Sequence, residues 1–230
     1  MFGLDEWIAG VSDEGSILIV VLVATLLGLR HATDPDHLAA VSTLVVSGRE
    51  RATRAAARLG AAWGLGHAVT LVAFGVPILL AERYLPDLVQ RGAETTVAAL
   101  IAFLAVRLLV RWRHGAFAAT PGGHEHRHPA RTPAGAFGIG LVHGMGGSAG
   151  VGVLLLAAVP SRTLALVALV VLAFFTAVSM TVVTTGFGAA LSVRRVSGAL
   201  ATAAPVLGLS SLAFGLWYAA AAWSLAPYPF

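Results

Sequence analysis

Residues Arg30 to His37 read RHATDPDH, inside an otherwise apolar stretch that runs from about Ser16 to Val46. Two histidines, two aspartates and an arginine thus fall where the chain has the composition of a bilayer crossing. Charged groups at that depth cost about 2.5–3.5 kcal/mol each on insertion scales. A stable fold must turn them inward, toward one another or toward something they bind. Imidazole and carboxylate together form a ligand set for a divalent metal.

The rest of the chain agrees with a membrane setting. Of its 230 residues 57% are hydrophobic and only 11% charged, against roughly 25% in soluble domains. The expected class is an all-α polytopic membrane protein, a single integral-membrane domain over residues 1–230. All 15 basic residues are arginine. A pI near 10.6 would suggest nucleic acid in a soluble protein; here arginines in short loops set topology, and no nucleic-acid partner is expected. The absence of cysteine removes disulfides and thiolate metal sites. The first fifteen residues are acidic and lack a basic n-region, so no cleavable signal peptide is indicated. Residues 2–9 read as a short interfacial turn with Trp7 at the headgroups.

Six crossings emerge, each needing about 20 mostly apolar residues. They run from about Ser16 to Val46, Leu59 to Leu80, Ala93 to Leu109, Ala134 to Val159, Thr163 to Leu191 and Gly198 to Leu225. Loops one, three and five hold Arg49, Arg51, Arg54, Arg58, Arg111, Arg113, Arg127, Arg131, Arg194 and Arg195, while the opposite side holds Arg83, Arg91 and Arg162. That alternation fits the positive-inside rule, with the Arg-rich loops cytoplasmic and both termini outside. The third of these loops, residues 112–133, carries His114 and then His124, His126 and His128 between Pro121-Gly122-Gly123 and Pro129. It reads either as a metal-catching strip or as a solvated loop.

The first segment, about 46 Å if fully helical, is too long for a core of about 30 Å at modest tilt. Asp34-Pro35 offers an interruption. Proline disfavours helix for the residue before it and suits the first position of a new helix, which makes Asp34 an N-cap. Such a break would let His31, Asp34, Asp36 and His37 turn toward one centre; on an unbroken helix His31 and His37 lie about 120° apart. Arg30 is expected to orient a carboxylate, with Asp34 at i+4. A continuous helix with a proline kink is the alternative.

Two further spans carry histidine. His67 lies about 12 Å into the second, and His143 about 10–14 Å into the fourth, both counted from the basic side. His31, about 22 Å from the other side, falls at a comparable level. Gly144, Gly146, Gly147 and Gly150 after His143 suit close packing or a second interruption. The hydroxyls of Thr176, Ser179, Thr181, Thr184 and Thr185 are expected to bond back to their own helix, with Thr176 and Ser179 as alternatives for lining a polar path. Spans one and four each have a His-bearing break, and spans two and five each have polar positions; three plus three crossings of opposite orientation would make an inverted repeat. A P-loop is absent, and no enzyme is expected.

Arg30-His31-Ala32-Thr33-Asp34-Pro35-Asp36-His37, with Leu38-Ala39-Ala40-Val41 after it, resembles the HxxxxDH signature of the nickel/cobalt transporter family. Trp63-Gly64-Leu65-Gly66-His67 looks like that family's second signature. Leu141-Val142-His143-Gly144 with Gly147-Ser148-Ala149 is similar to the short, UreH-like branch of nickel permeases. Pro35 stands where many longer members have alanine, and their acidic motif in a later span is absent. The resemblance implies metal handling by His31, Asp34, Asp36, His37, His67 and His143. It implies a permease for Ni²⁺, and for Co²⁺ as a second cation, importing across the cytoplasmic membrane. The metal would be substrate rather than cofactor, and a cytoplasmic metallochaperone is an open partner. Efflux through the same ligands, an intramembrane metalloenzyme and a non-transporting sensor are the competing readings.

Overall fold

The computed structural model describes residues 4–34, 36–38, 40–41, 52–81, 86–114, 132–146, 153, 156–157, 159, 161–192 and 194–227. Among these residues every regular element is a helix: α1 (Leu4–His31), α2 (Ala52–Ala81), α3 (Asp87–Arg113), α4 (Pro133–His143), α5 (Arg162–Ser192) and α6 (Arg194–Ala222). Four helices are individually long and apolar enough to cross a membrane, within α2, α3, α5 and α6. The outward faces are strongly apolar: Leu18, Phe103, Phe174, Val182, Val206 and Leu216 are all well exposed. An apolar surface on that scale suits lipid and not water, and the chain is an integral membrane protein.

The two remaining helices are short on their apolar stretch because each stops on a histidine. The apolar part of α1 is Ile17–His31, and α4 spans 11 residues. The interruption expected at Asp34-Pro35 begins three residues early. Thr33 N donates to Arg30 O and Asp34 N to His31 O, which tightens the end of α1 into a turn. Helical backbone resumes at residues 36–38 and 40–41. Leu38 N donates to Asp34 O, the first bond of that new helix, so Asp34 does occupy the N-cap position. The α4 break follows the same logic at Gly144, whose N–H bonds to Gly140 O. At its start, Thr132 caps α4 by accepting from Gly135 N, with Pro133 at N1. The interfacial turn expected over residues 2–9 is instead the beginning of α1 from Leu4 onward.

Helix α2 is the hub, packed on α5 and α4; α1 packs on α5, and α3 on α6. Glycine permits the close approaches. A Cβ at Gly66 would strike Phe137 O, and one at Gly140 would strike Trp63 O, so α2 and α4 meet backbone to backbone. Gly28 of α1 lies likewise against Leu172 O and Thr176 N of α5. Two apolar clusters result. One gathers Ala24, Leu71, Leu79, Val153, Ala165 and Leu172; the other gathers Val41, Ala56, Trp63, Leu104, Ala136 and Met180. Along α2 the first occupies residues 71–79 and the second residues 56–63, with His67 between them.

Candidate metal centre

His31 is the last residue of α1 and His143 the last of α4. A helix C-terminus carries roughly half a negative charge, so two helix dipoles end where these imidazoles begin. Carbonyls freed in the final turns are bonded from neighbouring helices. Ser179 Oγ donates to Gly28 O at 3.0 Å and Thr70 Oγ1 to Leu141 O at 2.9 Å. Those bonds fix both helix ends on α5 and α2.

Between the two ends lies one polar cluster. The ring centroid of His37 is 4.3 Å from that of His31, 5.1 Å from His67 and 4.4 Å from His143. His31 Nε2 and His67 Nε2 are 2.9 Å apart. Asp36 Oδ1 accepts from His37 Nδ1 at 3.0 Å, and its Oδ2 is 3.3 Å from His143 Nε2. His31, Asp36, His37, His67 and His143 are all buried, Asp36, His67 and His143 completely. Two groups of three ligand atoms, each group lying within 4.8 Å, are His31–His37–His67 and Asp36–His37–His143. His37 belongs to both.

Part of this cluster is left without partners. His37 Nε2, His67 Nδ1 and His143 Nδ1 are buried with no hydrogen-bond partner, and Asp36 Oδ2 and His143 Nε2 have only each other, 3.3 Å apart. Leaving a buried polar atom unsatisfied costs about 1–3 kcal/mol. Several close together are a donor set that could hold a cation. With Asp36 holding its Nδ1, His37 offers Nε2 to the centre, the carboxylate–histidine arrangement that orients metal ligands.

Asp34 is in neither trio. Its Oδ1 is 3.2 Å from Arg30 Nη2 and its Oδ2 3.6 Å from His31 Nδ1. It stands behind His31, held by the arginine that the i+4 spacing suggested. His124, His126 and His128 lie outside the described residues. His114 is exposed at the C-cap of α3.

Two buried residues, Trp63 beside the histidines and Glu94 in α3, are not evident from the sequence, and Thr176 is read there only as an alternative lining for a polar path. Trp63 is buried with its ring 5.7 Å from His37 and 5.8 Å from His143; its place one helical turn before His67 was the available signal. Glu94 reads as an acid of the outer side, yet it is buried in α3. Its Oε1 accepts from Gln90 Nε2 at 3.0 Å, and the turn at Gly146 lies against it. Thr176 does not bond back to its helix as expected. Its hydroxyl is buried and unpartnered, whereas Thr181 and Thr185 do bond back.

A family model described as "NicO: High-affinity nickel-transport protein" matches residues 17–132, half of the chain. The chain belongs to the NicO family. This family is described as one of transport proteins, not enzymes. The matched segment contains Asp36 and the histidines at 31, 37 and 67, and ends before His143. The chain is also similar to the urease accessory protein UreH of Bacillus sp. (strain TB-90), at 28% identity over 151 residues, which is 60% of this chain and 62% of that protein. The match therefore spans less than two thirds of the curated relative. No solved structure matches the chain.

Proposed function

We propose that this NicO-family chain is a permease that carries a divalent transition-metal cation, Ni²⁺ first and Co²⁺ second, into the cytoplasm. The observation that carries the reading is the convergence of four imidazoles and one carboxylate from three separate segments inside an apolar bundle. Imidazole suits nickel, and Asp36 with two helix C-termini offsets charge as the ion sheds water. Two nitrogens 2.9 Å apart span a right angle at a metal–nitrogen distance of about 2.1 Å. That is the adjacent-ligand edge of a tetragonal field, the geometry Ni²⁺ accepts.

The two trios supply a route. Donors bound to one metal at about 2.1 Å lie no more than about 4.2 Å apart, so a trio within 4.8 Å closes by small side-chain shifts. Because His37 is common to both, an ion can pass from His31–His37–His67 to Asp36–His37–His143 without losing its central ligand. Conduction needs sites strong enough to fill and weak enough to empty. The upper bound from a membrane potential of about 100 mV is about 4.6 kcal/mol for a 2+ ion, over three decades of concentration. Uptake on potential alone is therefore sufficient, with the Arg-rich loops facing the cytoplasm.

The packing supports six crossings arranged as an inverted repeat, α1–α3 against α4–α6. Exchanging the halves maps the α1–α5 contact onto α4–α2 and leaves α2–α5 and α3–α6 unchanged. The sequence carries the same exchange: Gly28-Leu29-Arg30-His31 recurs as Gly140-Leu141-Val142-His143, and His67-Ala68-Val69-Thr70 as Thr176-Ala177-Val178-Ser179. The apolar clusters exchange too: Ala24, Leu71, Val153, Ala165 and Leu172 correspond to Ala136, Met180, Val41, Ala56 and Trp63. Broken helices of opposite halves meeting at the midplane are the pattern of alternating-access carriers.

Counterflow in proteoliposomes preloaded with Ni²⁺ tests the proposal. Wild-type protein should accumulate labelled Ni²⁺, and His37→Ala should not. No accumulation with correctly inserted wild-type protein would refute transport. Accumulation together with rising cellular metal resistance and falling metal content would reassign the direction to efflux.

A further inference from the structure

We infer that the Thr176 hydroxyl is a fourth donor to the transported cation, standing on the His143 side of the centre where His67 stands on the His31 side. The inference rests on the permease reading and extends its ligand set beyond the histidines and aspartates.

The first support is the behaviour of the hydroxyl. Threonines inside these helices bond to the carbonyl four residues back: Thr25 to Val21, Thr70 to Gly66, Thr95 to Arg91, Thr96 to Gly92, Thr181 to Ala177 and Thr185 to Thr181. That bond is the local partner within reach of a helical hydroxyl. Thr176 does not make it, although its side chain is 1% exposed and its Oγ1 has no other partner. Thr184 is also unpartnered, but its side chain lies against Gly60 in the α2–α5 seam. Thr176 also stands at a glycine seam, with its N and the Leu172 carbonyl four residues back against Gly28, and a buried hydroxyl left there without its own carbonyl calls for a ligand.

The second support is position. Gly28 and Gly140 each precede a helix-ending histidine by three residues. A Cβ at Gly28 would meet Leu172 O and, at 3.0 Å, Thr176 N; a Cβ at Gly140 would meet Trp63 O and, at 2.9 Å, His67 N. Thr176 therefore stands to the α1 end as His67 stands to the α4 end. The hydroxyls one turn further on reach neighbouring positions of the two ends, Ser179 bonding to Gly28 O and Thr70 to Leu141 O, one residue apart in the exchanged register. The α2–α5 seam keeps the same register, since Gly60 against Thr184 corresponds to Leu169 against Gly75. His67 turns its Nε2 to His31 at 2.9 Å. By the same exchange the Thr176 hydroxyl would face His143.

The chemistry is unequal on purpose of transit. One side offers three imidazoles; the other offers Asp36, two imidazoles and a neutral hydroxyl, a harder and weaker set for a borderline cation. A hydroxyl donor lets the ion leave that side more readily than a third imidazole there would.

The test uses Co²⁺ as a spectroscopic probe and Ni²⁺ titration on the purified full chain in detergent. Thr176→Val keeps shape and removes the oxygen. It should weaken Ni²⁺ binding about tenfold, alter the visible Co²⁺ spectrum, and leave the metal-free Tm unchanged or raised. Thr176→Ser should restore both affinity and spectrum; if the valine variant does not insert, Thr176→Ala is read in the same way. Wild-type affinity and an unaltered spectrum in Thr176→Val or Thr176→Ala would overturn the inference. So would a Tm loss with the spectrum unchanged, which marks a structural hydroxyl. Failure of the permease reading is separate: wild-type proteoliposomes would then show no counterflow, whatever the Co²⁺ spectrum.

Discussion

Replacing Asp36 by asparagine isolates the charge of the centre from its shape. The amide oxygen can still accept from His37 Nδ1, now 3.0 Å from Oδ1, so the imidazole keeps its orientation. The lost quantity is one negative charge among donor atoms lying within 4.8 Å of one another. At that separation a 2+ ion and a unit charge attract by about 7 kcal/mol at an effective dielectric of about 20. Desolvation of the carboxylate cancels much of this. If only a third survives, about 2.3 kcal/mol, affinity falls about 50-fold. The metal-free protein should respond in the opposite sense, because a fully buried carboxylate is unfavourable without a cation. Isothermal titration with Ni²⁺ and thermal unfolding in the same detergent would read both. Asp36→Asn should bind at least about 50-fold more weakly, gain little Tm from Ni²⁺, and unfold no earlier than wild type when metal-free. Binding within threefold of wild type would refute the assignment of charge compensation to Asp36.

His37→Ala removes a ligand from both trios and should abolish binding and flux, whereas His67→Ala leaves Asp36–His37–His143 intact and should retain binding with slowed transport; equal losses by titration and counterflow would contradict the shared-ligand route. Gly140→Ala puts a methyl group into Trp63 O, while a Cβ at Gly138 on the same helix meets nothing within 4 Å. The first should lower thermal stability by about 1–3 kcal/mol or more and the second leave it unchanged, and unfolding curves that do not differ would rule out the α2–α4 approach. Metal binding needs neutral imidazole, so uptake at fixed potential should fall as pH drops from about 8 to 5.5; a flat profile of initial rates would count against histidine ligation.

The polar cluster was legible in the sequence because polar residues are scarce in apolar spans. His31, His67 and His143 could be set at one level by counting residues from the loops, and the structure brings all three within reach of His37. The pairing of Arg30 with Asp34 followed from spacing alone. Other features depend on tertiary packing. Pro35 marks a break, but α1 stops at His31 because its final carbonyls are bonded by Thr33 N and Asp34 N, which no propensity announces. Asp34 and Asp36 look interchangeable in the motif; the turn sends one to Arg30 and the other to His37 and His143. Glu94 sits near an expected span boundary, and only the approach of Gly146 shows that it is inside. The Gly-Leu-x-His repeat was present in the letters, yet four residues carry little weight until the glycines are seen to make equivalent contacts.

X-ray absorption at the nickel edge of the loaded, purified chain tests the central claim most directly. A shell of nitrogen and oxygen at about 2.1 Å, with the outer-shell scattering of several imidazoles that disappears in His37→Ala, is the predicted result. A shell of oxygen alone, or one indifferent to that substitution, would contradict it.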